Sequence, residues 1–334
     1  MNPRRKLLAT LAAGTLASAL PAFAQKSGKL WRIGVLSQTS RQGDAVLRLQ
    51  RELQQALRAA GYIEGQNLAI EWRYSDLDSA RLKSNAEELV RLKVDLILTV
   101  NTTATHAAQK ASATVPIVMI NSADPVHSGF AQSLGRPGGN ITGLSTMSPE
   151  TGPKLLEFLL AITAASHPRL TRVAVLINPA NSGNLLMQKN LEAAARGTRA
   201  RLLPLAARNQ ADLANVFAAM KRERSEALIL ARDGMFAQLA QVLADQAAQL
   251  RLPTASGNRN FTEAGGLLSY SPRAGDSLKR VVSYVDRIFK GAKAGELPIE
   301  QPTQFELVIN GKTAQALGLT IPQALLITAE KVIE

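Results

Sequence analysis

The 334-residue chain contains no cysteine, so disulfides, thiolate metal sites and a cysteine nucleophile are all ruled out. Histidine is nearly as scarce: His106, His127 and His167 are the only three, and no metal-ligand spacing relates them. There is no G-x-S-x-G elbow for a serine nucleophile. "GKT" at 311–313 resembles a phosphate-loop fragment, but Glu306 stands where that loop needs its first glycine, and "GRPGGN" lacks G-x-G-x-x-G spacing. Aromatic residues are only 4% of the chain. Together with Lys and Arg scattered over helix faces, this argues against a nucleic-acid surface despite a net charge of +13.

What is present is a globular composition, 46% apolar and 19% charged, long enough for two domains. The first residues, "MNPRRKLLATLAAGTLASALPAFAQ", combine a basic start, an apolar stretch too short for a membrane span and a small-x-small site at Ala22-Phe23-Ala24. Residues 1–24 therefore read as a signal peptide, Arg4-Arg5 matching a twin-arginine signal only poorly. A lipid anchor at that site would need a cysteine. The expected product is an exported protein free in a bacterial periplasm.

Beyond the leader, strand and helix patterns alternate. "RIGVLS" (32–37) reads as a strand, and Val46, Leu49, Leu53 and Leu57 recur at helical spacing before Gly61. "NLAIEWRY", a helix after Asp78, "DLILTV", a helix near 103–112 and "PIVMI" follow. The second half repeats the order, from "RVAVLIN" (172–178) through "ARLLPLA", "EALILA", a helix at 235–250 and "LPTAS". Val35-Leu36 matches Val175-Leu176, Leu96-Ile97-Leu98 matches Leu228-Ile229-Leu230, and Pro116 matches Pro253, at nearly constant spacing. Short strands separated by helices imply βαβ units and parallel sheets, so the fold class is α/β with two Rossmann-like lobes. Turn-rich "GRPGGNITG" leaves the first lobe, and "GGLLSYSP" (265–272) leads from the second into a long amphipathic helix. The expected lobes are 30–143 plus 272–297 and 144–265 plus 303–334. Three hinge crossovers are expected near 140–146, 265–272 and 297–304.

In open parallel sheets, ligands bind beyond the carboxyl ends of the strands. In lobe one those positions are Ser37, Gln38, Tyr74, Asn101, Thr102, Thr103, Asn121, Ser122 and Asp124. In lobe two they are Asn178, Asp233, Phe236, Ser256, Gly257, Asn258 and Asn260, with Tyr270 as a further pocket wall. The repeat sets Asp233 opposite Asn101 and Asn258 opposite Asn121. Thr102 and Thr103 offer hydroxyls beside free N–H groups at a helix start, a cradle for an anion, although Asn101 to Thr103 also suit plain capping. Asp124 and Asp233 can accept from an ammonium or hydroxyl, or cap helices. His127 beside Asp124 and Ser128 is the best hydrolase-like cluster, and its closeness in sequence fits a polar loop better. The residues read as a two-lobed exported binder rather than an enzyme, with no cofactor or metal.

The segments "LRAAGYIEGQNLAIEWRYSD", "ADPVHSGFAQSLGRPGGNITGLS", "EAGGLLSYSP" and "YVDRIFKGAKAGELPIEQPTQFELVINGKTAQALGLTIP", in this order, resemble the solute-binding proteins of ABC transporters in the tryptophan/tyrosine-binding group. The resemblance spans about residues 30–334. It implies a type I periplasmic-binding-protein fold and a small-molecule ligand held between the lobes. It also implies delivery to an inner-membrane permease driven by a cytoplasmic ATPase. Ser37, Thr102, Asp124, Asn178 and Asp233 match the family's cleft motifs by position. Where relatives tend to read Gly-Thr-Pro-Ala, this chain has Asn101-Thr102-Thr103-Ala104, and the pocket reads as more polar than an aromatic-amino-acid site. The chain is expected to act as a monomer on a small polar organic ligand such as an amino acid or related acid. The alternative uses of the same architecture are a sensory module presenting its ligand to a membrane receptor and an exported hydrolase.

Overall fold

The computed structural model describes residues 29–273, 275 and 277–334. The leader assigned to 1–24 lies outside the described residues. The chain opens with β1 (Trp31–Ser37), α1 (Asp44–Ala59), β2 (Leu68–Tyr74), α2 (Ser79–Arg91), β3 (Leu96–Thr99), α3 (Thr102–Ala111), β4 (Ile117–Ser122) and β5 (Ile141–Ser145). These five strands form one sheet in the order β2-β1-β3-β4-β5, parallel throughout. The local reasons are those of the sequence. β3 carries the apolar run Leu96-Ile97-Leu98 and ends at Thr99, with every residue buried, as a strand covered on both faces must be. Asp78 caps α2 by accepting from Ala80 and Arg81, and Leu82, Ala86 and Leu89 turn its apolar stripe to the sheet.

A second run follows: α4 (Ser148–Thr163), β6 (Arg172–Ile177), α5 (Ser182–Ala195), β7 (Arg201–Ala206), α6 (Asp212–Arg222), β8 (Ala227–Leu230), α7 (Gly234–Gln238), α8 (Ala240–Gln249), β9 (Thr254–Ser256), α9 (Arg259–Glu263) and β10 (Leu268–Pro272). The helix expected over 235–250 is broken at Leu239, whose ψ of 17° leaves the helical range while its side chain stays in the core. The chain continues with α10 (Ser277–Phe289), β11 (Phe305–Asn310), α11 (Gly311–Ala316), α12 (Gln323–Thr328) and β12 (Lys331–Ile333). The second sheet runs β12-β11-β10-β9-β8-β6-β7.

That sheet is parallel except that β11 lies antiparallel to β10. The reason is the path between them. After β10 the chain leaves for the other lobe, where α10 packs on α1, β4 and β5, and it returns from there to lay β11 along β10. The Val281, Val282, Val285 and Ile288 face of α10 is buried in the core of the first sheet with Ile33, Val35, Leu53 and Leu57. The chain thus passes between the sheets after β5, after β10 and before β11. The first and third passages run side by side: Leu144 bridges Glu300, Ser145 donates its N–H to the Glu300 carbonyl, and Ile299 donates to Leu134.

The internal repeat is real in the backbone. Asp95 donates its N–H to Arg32 and Val100 to Leu36; in the second lobe Glu226 donates to Arg172 and Ala231 to Leu176. An acidic side chain closes each motif, Asp95 accepting from the Arg32 N–H and Glu226 from the Arg172 N–H, both at 2.8 Å. This register corrects the sequence alignment by one residue. Pairing with β1 and β6 makes Leu96 the counterpart of Ala227, not of Leu228. The shared Leu-Ile-Leu letters therefore align positions that the sheets do not.

Burial works to raise the pKa of Glu226, but the N–H groups of Thr171 and Arg172 and the Arg172 guanidinium outweigh it and hold the carboxyl below its usual value. Glu226→Ala is expected to lower stability by about 1.5–3 kcal/mol at neutral pH, the range for hydrogen bonds to a charged group. A depressed folded pKa stabilises above the unfolded value and loses that contribution as pH falls through the folded one. Urea unfolding should therefore show the two proteins converging as the medium is acidified below the ordinary carboxylate range.

Candidate functional site

The carboxyl ends of β1, β3 and β4 face those of β8 and β9 across a cleft of about 610 Å³, to which β10 and β11 add Ser271 and Glu306. Of the residues expected there, the structure brings Asn101, Thr102, Asn121, Asp233, Asn258 and Asn260 to the cleft wall. Asn101 is the N-cap of α3: its Oδ1 accepts from the Ala104 N–H at 2.9 Å, and its buried Nδ2 has no hydrogen-bond partner. Thr102 is turned to structure, its Oγ1 accepting from the Ala123 N–H and tying α3 to the end of β4. Thr103 Oγ1, Ser122 Oγ and Gln38 Oε1 are buried without partners, but these residues are not among those lining the cleft. Ser37 reaches the wall only through Thr39, with Oγ and Oγ1 2.8 Å apart.

Other positions lie elsewhere for clear reasons. Phe236 is in the hydrophobic core of the second lobe, because the Asp233 cap starts α7 with Met235 and Phe236 pointing inward. Tyr270 packs between the rings of Phe158 and Phe305. Tyr74 stacks on Trp72 and accepts from Gln50. Asp124 accepts the N–H groups of Val126 and His127 and so shapes its own turn. The exposed His127 ring bonds to neither Asp124 nor Ser128 among the described residues, and the Ser128 hydroxyl is engaged instead by Ser182 at 2.7 Å. The hydrolase-like cluster is therefore not assembled.

Asp233 is the centre of the lobe-two wall. Oδ1 accepts from Asn178 Nδ2 at 3.2 Å and from the Met235 N–H at 2.9 Å, and Oδ2 accepts from Asn181 Nδ2 at 2.9 Å. Burial raises its pKa, and the hydrogen bonds from Asn181, Asn178 and the α7 backbone oppose that rise. Asn184 joins the network by donating to the Arg232 carbonyl and accepting from the Asn178 N–H, 2.9 Å in each case. Asn178 is thus a support behind the wall rather than part of it.

The residue that sequence reasoning missed is Arg232. The residue is partly exposed, and its guanidinium lines the cleft and donates to the Gly257 carbonyl at 2.9 Å. No carboxylate pairs with it among the described residues, and burial pulls its pKa below the usual value. Of the other arginines lining the cleft, Arg259 bonds Glu263 at 2.8 Å and reaches the buried Glu306 at 3.3 Å, Arg273 pairs with Glu330, and Arg48 is exposed on α1. The corrected register explains the omission. Val100 is followed at once by the cap Asn101, whereas Ala231 is followed by Arg232 and only then by the cap Asp233. Arg232 is the one residue added between the strand end and the helix cap in the second lobe, and the off-by-one alignment hid it.

Across the cleft the lobes are in contact. A Cβ built on Gly234 would stand 2.7 Å from Asn101 Nδ2, and one on Gly183 would stand 2.2 Å from the Cβ of Ala123. Gln238 accepts from the Ser40 N–H at 2.8 Å, and Ser182 Oγ lies 3.3 Å from His106 Nε2. Burial lowers the pKa of that imidazole, with Lys110 adding to the effect. The structure is therefore of the closed arrangement, with the starts of α5 and α7 seated on lobe one.

A family profile described as ABC transporter substrate binding protein matches residues 33–333. The chain belongs to the ABC transporter substrate-binding protein family. Such proteins are extracytoplasmic solute binders rather than enzymes. A tyrosine-binding protein of Clostridioides difficile strain R20291 is 22% identical over 264 residues, 79% of this chain and 74% of that one. A crystal structure of a conserved domain protein from Vibrio cholerae has a TM-score of 0.83 at 26% identity, covering 91% of this chain and all of that one, 100%. A Streptococcus pneumoniae ABC domain in complex with L-Trp has a TM-score of 0.82 at 24% identity, covering 91% and 99%. These likenesses agree with the two α/β lobes described above. No helix among the described residues of this substrate-binding protein is long and apolar enough to cross a membrane.

Two outcomes follow from the geometry. Asp233→Ala leaves the buried amides of Asn178 and Asn181 without their acceptor, at about 1–3 kcal/mol for each. Urea unfolding of the unliganded protein should show this loss, and Asp233→Asn should recover part of it. Gly183→Val puts side-chain atoms where Ala123 sits, so small-angle scattering should report a larger radius of gyration. Its unfolding free energy should stay within about 0.5 kcal/mol of wild type if the clash is relieved by lobe opening alone.

Proposed function

We propose that this protein captures a small carboxylate-bearing organic molecule, an amino acid or related acid, between its lobes. In this reading it is the exported, periplasmic binding component of an importer and works as a monomer. The observation that carries the reading is the Arg232 guanidinium, set in the cleft without an acidic partner. A desolvated cation is costly when it stands alone, and a ligand carboxylate offsets that cost with short charge-assisted hydrogen bonds. Asn101 and Asn121 stand on the opposite wall.

The polarity of the wall narrows the ligand. Asn121, Asn181, Asn258, Asn260, Thr39 and Thr146 line the cleft, and no aromatic ring stands among its lining residues. A tyrosine-binding relative and a similar structure in complex with L-Trp support the amino-acid class. The Asn and Thr wall supports a polar group on the part of the ligand that lies in the cleft. The ligand does not react: its differential affinity for the closed state holds the lobes together. The inner-membrane permease, powered by a cytoplasmic ATPase, reads that closure. Three passages of the chain between the sheets serve as the hinge, so the lobes rotate with little change inside either.

Thermal unfolding against amino acids, organic acids and neutral sugars tests this directly. A ligand at about 100 times its Kd should add roughly 2.7 kcal/mol of stability, and only carboxylates should do so. Arg232→Met should weaken binding by about 30-fold or more, the effect of removing one partner of a desolvated charge pair. The same substitution should leave the unliganded protein at least as stable, since it removes an unpaired cation. Unchanged affinity in Arg232→Met, or a response confined to sugars, overturns the reading.

A further inference from the structure

A second cavity, of about 940 Å³, opens from the cleft and runs between α1 and α10. Arg232, Asn121 and Pro272 belong to the walls of both spaces, so the two are continuous. Leu49, Ala56, Ala60, Ile120, Leu278 and Val282 supply the apolar part of the groove's walls, with Arg48, Glu52, Gln55 and Arg273 among them. From Ala45 to Ala60 it follows α1 for about 20 Å, at 1.5 Å per residue. Its rim is charged, with Lys290 and Asp286 paired at 2.8 Å near the far end. The lobe contacts at Gly183 and Gly234 involve none of the groove's wall residues. Closure of the cleft therefore leaves the groove open.

From this geometry we infer that the ligand is elongated. Its carboxylate lies at Arg232, and an apolar chain extends from there into the groove between α1 and α10. This rests on the carboxylate reading of the cleft and goes further by assigning the rest of the molecule. The apolar residues of the groove suit the tail of an acid whose head is met by Arg232 and the asparagines. The charged rim stays in water while the apolar walls cover the chain, as in other small-molecule sites. A tail longer than the cleft is compatible with full closure, because the groove lies away from the contacts at Gly183 and Gly234.

Calorimetric titration of the protein with a homologous series tests the inference. The probes are straight-chain 2-amino acids from aminobutanoate to aminodecanoate and the matching monocarboxylates, kept below their micelle concentrations. Affinity should rise about two- to four-fold with each added methylene, as expected for burying a CH₂ group. Ala59 and Ser283 are exposed groove residues outside the cleft. Ala59→Trp and Ser283→Trp should flatten that rise and leave the affinity for the shortest bound member unchanged. Arg232→Met should weaken every member alike. A flat series in the unmodified protein, with short members still dependent on Arg232, overturns the groove assignment and leaves the carboxylate reading intact. Long acids that bind equally well to Arg232→Met overturn the link between head and tail. Failure of every acid in both series to bind overturns both.

Discussion

The cleft depends on one buried carboxylate. Asp233 is 4% exposed, and an ion in that position persists only if its lone pairs are met. Asn178 at the end of β6, Asn181 at the start of α5 and the Met235 N–H at the start of α7 meet them. Three segments are thereby held to one point. The same network holds the Arg232 carbonyl through Asn184, and the Arg232 guanidinium is held by Gly257. An anion satisfied entirely from within the lobe thus fixes the backbone that presents a cation to the cleft.

The asymmetry between the lobes follows from the same place. Both are built on one strand order, with β1 between β2 and β3 and β6 between β7 and β8. Both cap the helix after the third strand with a short polar side chain, Asn101 in one and Asp233 in the other. The single added residue between β8 and its cap turns a structural repeat into a site with a donor-rich wall on each side. Gly183 and Gly234, with no side chains, let the starts of α5 and α7 seat against Ala123 and Asn101. The small residues at the seam and the charged residue behind it divide the labour of closing and of holding.

Much of the fold was legible because it is local. The apolar runs of β1, β3, β6 and β8, the Asp78 cap and the stripe of Leu53 and Leu57 need only neighbouring residues to be read. β5 and α4 were harder. β5 follows directly on a Gly- and Pro-rich stretch that reads as a divider, and α4 carries Pro149 and Pro153 in its first turns. The antiparallel entry of β11 was not legible, because it reflects an excursion through the other lobe rather than any pattern in its own residues. Among site residues, Asn101, Asn121 and Asn258 were found by counting to strand ends. Phe236, just past β8, faces the core, and Tyr270 lies within β10 and packs against Phe158 and Phe305, since an aromatic ring satisfies either environment.

The sequence by itself determined the alternation of strands and helices, the duplication and the absence of thiol, metal-spacing and nucleophile-elbow motifs. Each of these is set by residue type and short-range spacing. Only the tertiary structure decided which strand-end residues share a wall. That depends on register, and a shift of one residue exchanges a supporting side chain for one that faces the ligand. Arg232 shows the point: in the sequence it is an ordinary arginine after an apolar run, and the hydrogen-bond register of β6 and β8 sets it in the cleft wall without a carboxylate partner among the described residues.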